Sequence, residues 1–335
     1  MQPVSSIGEQ ELITKAQHLF QSKKNSDIVI PNGDDACAVR MGRSKISVLT
    51  VDMLCEDVHF KGSWNRWVDI GYKAVMVNVS DCAAMGDVRP LFALVSMGMH
   101  KTTPVDIVDK LLTGMRKACV QTGIRILGGD TVRSAKHMVI SICLLGSTVP
   151  NGLVKRSGAQ VGDKVLISGP CGLAGAGLDI LMNQGCFRKK ITRVYAEQLI
   201  QAHLCPPDRL GLGSYLGKSR RATSMIDASD GLAVSLEHLC TASQLGMRID
   251  VHRLPVPRNL QTYADATGKN LHNLILHGGE DYELVFTARP NSSTAITDKF
   301  KSARIIGEVV PGRNHVSYYM AGRSWHSSGK RFNHF

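Results

Sequence analysis

The sequence predicts an α/β fold of two domains, residues 1–150 and 151–335, and three observations lead there. The chain of 335 residues exceeds the length at which one hydrophobic core usually keeps growing. Short β-rich runs alternate with helical patterns from end to end. Hydrophobic residues at 43% and charged residues at 20% have the balance of a globular chain and exclude a disordered or fibrous one.

Residues 1–24 lack the basic-then-apolar order of a secretory leader, and residues 9–21 read as an amphipathic helix. Short strands are expected at 28–30, 37–41 and 46–51. A long helix covers 68–85, where Ile70, Ala74, Val77 and Asp81 share one face at spacings of three and four. A strand follows at 91–99, then a helix from Pro104, a good first-turn residue, to about residue 122. Strands at 124–127 and 137–145 complete the first half.

The second half opens on a polar, glycine-bearing stretch, 152–162, and a strand at 164–168 that runs into Gly169-Pro170-Cys171-Gly172. Helices are expected at 173–183, 192–203 and 232–243, with strands at 222–226, 248–251, 283–287 and 303–309. Ser229 or Asp230 is positioned to cap the helix that begins near Leu232. Acidic turns recur in both halves and hint at two similar units, without a tandem repeat of fixed short period.

No run of about 18 apolar residues exists, so no membrane span is expected and a cytoplasmic location follows. The nine cysteines form no C-x-x-C pair. Their odd number and apolar surroundings argue for reduced thiols, against a zinc site and against a disulfide framework. The formal charge of +12 invites a nucleic-acid reading, but an aromatic content of 5% argues against it. The basic cluster Arg188-Lys189-Lys190 with Arg193 reads as solvated surface, with polyanion binding as the alternative.

Against that basic background stand short acidic motifs: Gly33-Asp34-Asp35, Thr50-Val51-Asp52, Asn78-Val79-Ser80-Asp81, Gly128-Gly129-Asp130-Thr131, Asp227-Ala228-Ser229-Asp230 and the block 278–284. Most fall at the end of an apolar run, where an element is expected to hand over to a loop. Each aspartate alone has an ordinary reading as turn former or helix cap. Together they suggest a magnesium-polyphosphate site. Two unit charges about 4 Å apart at an effective dielectric of about 20 repel by about 4 kcal/mol. A converged cluster therefore needs cations, and carboxylates with phosphate oxygens are the ligands magnesium prefers.

Three other motifs do not hold. Gly217-Lys218-Ser219 resembles the end of a phosphate loop, but Leu212 occupies the leading glycine position. Gly172, Gly175 and Gly177 have a dinucleotide fingerprint's spacing in reverse. No G-x-S-x-G appears, and nothing marks a cysteine as an activated nucleophile.

In their order, the motifs Gly-Asp-Asp, Asp-Met-Leu-x-Glu-x-x-His-Phe, Asn-x-Ser-Asp-x-Ala-Ala-Met-Gly, Gly-Gly-Asp-Thr, Asp-x-Ser-Asp-Gly-Leu and Gly-Gly-Glu-Asp-Tyr-Glu-Leu resemble those of the thiamine-monophosphate kinases. The resemblance spans nearly the whole chain, and residues 78–86 and 278–284 carry it most specifically. It implies the fold of the aminoimidazole ribonucleotide synthetase superfamily. In that fold the N-terminal domain forms a sheet, closed into a barrel in a homodimer, and an α/β domain follows. The implied reaction is ATP-dependent phosphorylation of thiamine monophosphate to thiamine diphosphate with magnesium.

By the same resemblance, Asp35, Thr50, Val51, Asp52, Asp81, Asp130, Asp227 and Asp230 are the magnesium ligands, and Asp81, Asp130 and Asp227 the catalytic set. Gly129, Asp130, Arg156 and Ser229 border ATP, while His59, Glu280 and Phe332 hold thiamine monophosphate. A guanidinium at Arg156 suits phosphate oxygens in pairs, and Phe332 offers an aromatic face to a cationic thiazolium. Taken alone, His59 reads as an ordinary core or surface histidine.

The sequence departs from the family at Val51, where a Thr or Ser is usual, at Val132 and at Met99-His100. A hydroxyl ligand would be lost at Val51, whereas a main-chain carbonyl would be kept. The alternatives are a related ATP-dependent synthetase of the purine-biosynthesis type and a non-catalytic nucleotide-binding paralogue.

Overall fold

The computed structural model describes residues 4–6, 8–19, 26–31, 33–42, 45–183, 191–312 and 314–327. Phe332, the basic triplet at 188–190 and Cys186 lie outside the described residues.

Helix α1 (Gly8–Leu19) precedes a six-stranded sheet. Its strands are β1 (Ile28–Ile30), β2 (Cys37–Arg40), β3 (Ile46–Cys55), β4 (Arg89–Met99), β5 (Arg125–Arg133) and β6 (Val139–Thr148), in the order β1-β2-β3-β6-β4-β5. Only β4 and β5 run parallel, and the helix α3 (Val105–Thr122) connects them, as a parallel pair requires a crossover. Alternation along β6 buries Ile140, Ile142 and Leu144 under α3 and α2 (Trp67–Ala84).

Between α2 and α3 the backbones nearly touch: a Cβ on Gly71 would meet the Leu111 carbonyl at 2.0 Å, and one on Gly114 the Val68 carbonyl at 1.8 Å. Gly114→Ala is therefore expected to cost at least about 2 kcal/mol, because rigid backbone and not a flexible side chain must yield. An unchanged denaturant midpoint would refute this.

The second sheet has seven strands in the order β13-β12-β9-β11-β7-β10-β8. They are β7 (Lys164–Ile167), β8 (Ala222–Asp227), β9 (Gly246–Asp250), β10 (Leu284–Ala288), β11 (Arg304–Val310), β12 (His315–Met320) and β13 (Arg323–Trp325). Helices α4 (Leu173–Met182), α5 (Arg193–Leu204), α6 (Leu210–Lys218), α7 (Leu232–Ser243), α8 (Arg258–Thr267), α9 (Leu271–His277) and α10 (Pro290–Lys299) surround it.

Helix α2 belongs to both halves. It is buried on nearly every side, not along one face as its periodicity suggests, because the second half covers its far side. Ala83 and Ala84 pack there with Leu212, Leu216, Met225 and Phe286. Gly217 of the rejected phosphate loop is a packing glycine in α6, since a Cβ would strike the Gly152 carbonyl and the Asp87 nitrogen. Gly177 likewise lets α4 approach the Leu199 carbonyl of α5.

Several expectations need correction. Asp52 and Asp130 lie inside β3 and β5, not at the ends of elements, whereas Asp81 falls in the last turn of α2. Gly231, not Ser229 or Asp230, occupies the N-cap of α7, where no side chain bonds the first amides. Helices α6, α8, α9 and α10 and strands β12 and β13 form where the sequence pattern predicts no element. These short helices are too short to be stable alone and form against the apolar clusters of the second half.

Candidate functional site

Three carboxylates from distant parts of the chain meet at the seam between the sheets. Asp35 comes from the turn before β2, Asp81 from the last turn of α2 and Asp227 from the end of β8, with oxygens within 4.8 Å of one another. Hydroxyls and a guanidinium orient them. Thr50 donates to Asp81 Oδ2 in a short hydrogen bond. Ser80 donates to Asp227 Oδ2 at 2.5 Å, and Ser229 to Asp227 Oδ1 at 3.2 Å. Arg156 Nη2 donates to Asp35 Oδ1 at 2.7 Å, while the Arg156 main-chain N–H donates to Asp34 Oδ2 at 3.1 Å.

Strand alternation explains why Thr50 and not Val51 takes part. Along β3, residues 46, 48, 50, 52 and 54 face the helices, and Val51 and Met53 face the other side. The Val51 side chain is 64% exposed there. A hydroxyl in its place would point away from Asp81, which leaves only its main-chain carbonyl as a donor.

Burial has raised every acid in the cluster. It lifts Asp35 to about 7, with repulsion from Asp227 adding and attraction by Arg156 opposing. Asp52 rises to about 6, by burial first and then by the charges of Asp227 and Asp230. Asp81 is pushed well above the carboxylate range by burial and by Asp52, Asp227 and Asp35. Burial also raises Asp227, against the hydrogen bond from Ser80. One buried oxygen, Asp35 Oδ2, has no hydrogen-bond partner. An oxygen-only donor set with strong mutual repulsion and an orphaned buried oxygen fits a hard divalent cation. Asp230 is exposed at the rim.

Asp130 is not brought into this cluster. All nine residues of β5 are exposed. Its register sets Asp130 beside Ser96, which pairs with Ser141 and through it with Met53, on the face opposite Thr50. Three strand spacings, about 14 Å, separate β5 from β3. Gly129 shares that edge, where a Cβ would collide with the Val95 backbone.

The acidic block 278–284 makes three internal locks that its sequence does not reveal. Glu280 pairs with Lys73 Nζ at 2.7 Å and His203 Nδ1 at 3.1 Å. Asp281 accepts from the Gly172 and Ala174 amides at 2.6 and 3.0 Å, capping α4 from outside the helix. Glu283 holds Arg209 through both oxygens. Lysine inside the apolar run of α2 was the one legible hint, since a buried lysine demands a partner. His59 lies in the turn after β3 and accepts from the Cys55 amide through Nδ1 at 3.0 Å.

The chain can be compared with known proteins on this geometry. Residues 33–148 and 160–319 match the N-terminal and C-terminal domains of the AIR synthase related protein family. A thiamine-monophosphate kinase of Aquifex aeolicus (strain VF5) is 35% identical over 284 residues, covering 85% of this chain and 87% of that protein. One from Nitrosopumilus maritimus (strain SCM1) is 36% identical over 73% of this chain and 75% of its own length. Among solved structures, AaThiL complexed with AMPPCP and TMP superposes with a TM-score of 0.86 at 30% identity, covering 100% of this chain and 99% of its own.

Proposed function

The chain belongs to the thiamine-monophosphate kinases of the AIR synthase related family, and on that footing we propose that it phosphorylates thiamine monophosphate to thiamine diphosphate with ATP. The observation that carries this reading is the meeting of Asp35, Asp81 and Asp227 within 4.8 Å. These three residues come from three separate family motifs and from both halves of the chain.

Asp35, Asp52, Asp81 and Asp227 would hold magnesium, with Thr50 and the Val51 carbonyl beside them and Asp230 serving a further ion at the rim. Magnesium, when bound, neutralises phosphate charge and aligns the reacting oxygens. The chain's own part is preorganisation. Thr50 and Ser80 fix the carboxylates of Asp81 and Asp227, and Arg156 holds Asp35 while bordering the nucleotide with Ser229 and Gly129. His59, Glu280 and Phe332 take thiamine monophosphate. The acceptor is already a phosphate anion, so no strong general base is required and positioning supplies most of the rate. Transfer is direct and in line.

The reading extends to assembly and location. Val51, Met53 and Leu94 are exposed on the open face of the first sheet, beside the uncovered strand β5. A long bare edge next to an apolar face supports a homodimer through that surface. A partner's β5 would then bring Asp130 and Gly129 to the site. Residues 1–150 form the nucleotide-binding and dimerisation domain, and 151–335 complete both substrate sites. We place the enzyme in the cytoplasm, as expected of a biosynthetic kinase; among the described residues no helix is long and apolar enough to cross a membrane.

The test is purified protein with ATP, magnesium and thiamine monophosphate, with ADP and thiamine diphosphate quantified together. Equal formation of both is expected, with no label retained on protein from γ-labelled ATP. ATP binding without either product would point to a non-catalytic paralogue, and a labelled phosphoprotein that turns over would exclude direct transfer.

A further inference from the structure

We infer that Lys73 and His203 are positioning residues that set the Glu280 carboxylate for the acceptor substrate and tie its loop to the helix that carries Asp81. The inference rests on the proposed contact between Glu280 and thiamine monophosphate.

Lys73 and His203 are 4% and 1% exposed. They come from α2 in the first half and from the end of α5 in the second, and each takes a different oxygen of Glu280. Stability alone does not explain such a group. A buried ion pair is often replaced by apolar residues without loss, whereas removing one partner strands a charge. Burial and the nearby Lys73 ammonium lower the His203 pKa against the opposing pull of Glu280, and its Nδ1 lies 3.1 Å from a Glu280 carboxylate oxygen.

The Glu280 backbone is equally constrained. Glu280 and Tyr282 adopt φ of +64° and +51°, a left-handed conformation uncommon for residues with a Cβ and concentrated at functional sites. The Glu280 N–H donates to the Ser229 carbonyl at 2.6 Å, and the Tyr282 N–H to Ala228 at 3.0 Å. The loop is thus clipped to the segment that follows Asp227.

Lys73 and Asp81 are eight residues apart on α2, about 12 Å along the helix. Fixing Glu280 to Lys73 therefore fixes its spacing from the acidic cluster. Capacity for substrate remains. A carboxylate has about four lone-pair sites, the two partners use one on each oxygen, and 24% of the side chain is exposed.

The experiment measures KM for thiamine monophosphate and for ATP in the full-length enzyme and in E280Q, K73M, K73R, H203N and K73M/E280Q. E280Q and K73M are each expected to raise KM for thiamine monophosphate about tenfold or more while leaving KM for ATP within about twofold. K73R should recover most of the loss, and the double variant should be no worse than E280Q alone, because the lysine acts through the glutamate. An E280Q rise without a K73M rise, equal rises for both substrates, or additive losses in the double variant would each overturn the inference. If E280Q leaves both constants unchanged, the substrate contact itself is wrong and the inference falls with it. Should K73M fail to fold, H203N decides by the same comparison: a rise confined to thiamine monophosphate sustains the inference, and none ends it.

Discussion

Asp81→Asn is expected to lower kcat about 1000-fold or more while making the metal-free protein more stable. The loss follows from the loss of one of three converging carboxylates, since groups that stabilise transferring phosphoryl charge are worth about 100- to 1000-fold or more each. The gain in stability follows from linkage. In the metal-free protein Asp81 is pushed far above its ordinary 3.8 by burial and by Asp52, Asp227 and Asp35, so folding disfavours its ionised form relative to the unfolded chain. Asn removes that cost and still accepts from Thr50.

The sign extends to the neighbours. Asp35 at about 7 and Asp52 at about 6 bind more protons folded than unfolded between about pH 4 and 7. Stability in chelator therefore declines as pH rises through that window and levels off above it. Magnesium displaces those protons, so its stabilising effect should grow over the same interval. Thermal melts in chelator and in magnesium, at pH 5 and 7.5, check both statements. A wild-type melting temperature in chelator that rises with pH, or an Asp81→Asn protein that melts lower than wild type in chelator, would show that the acids are not strained by one another.

The second large effect is complementation. Asp130→Asn should be as inactive as Asp81→Asn, yet an equimolar mixture, dissociated and reassembled, should regain about one quarter of wild-type activity. Random pairing makes half of the dimers mixed, and each mixed dimer holds one site with both wild-type residues if Asp130 is supplied across the interface. If Asp130 instead acted within its own chain, every site in the mixture would carry a lesion and activity would stay at background. Met53→Glu on the open sheet face should abolish both dimer and activity, checked by light scattering and the product assay. A monomeric wild-type enzyme at micromolar concentration would remove the basis for the mixing result.

Particular elements show how far the sequence reached. The strands of the first sheet and the long helices α2, α3 and α7 were legible because their apolar spacing extends over several turns or alternations. The same rule does not reach α6 and α9, whose nine and seven residues offer too few repeats for a period to stand out. The aspartate motifs were legible as chemistry, since acids clustered at glycines and hydroxyls in a chain of net charge +12 have few other uses. Their partners were not: His203 and Arg209 sit in unremarkable stretches, and their importance appears only when Glu280 and Glu283 arrive from some 70 residues away.

The sequence by itself determined the alternating α/β architecture, the acidic motifs and the family they resemble, because local periodicity and residue chemistry are properties of short segments. Only the tertiary structure decided that Asp35, Asp81 and Asp227 converge while Asp130 faces outward on a bare edge. It alone put Val51 on the open face and gave Glu280 its lysine and histidine. Which face a side chain takes, and what it meets there, depends on strand register and on packing between segments far apart in the chain, and no local pattern encodes either.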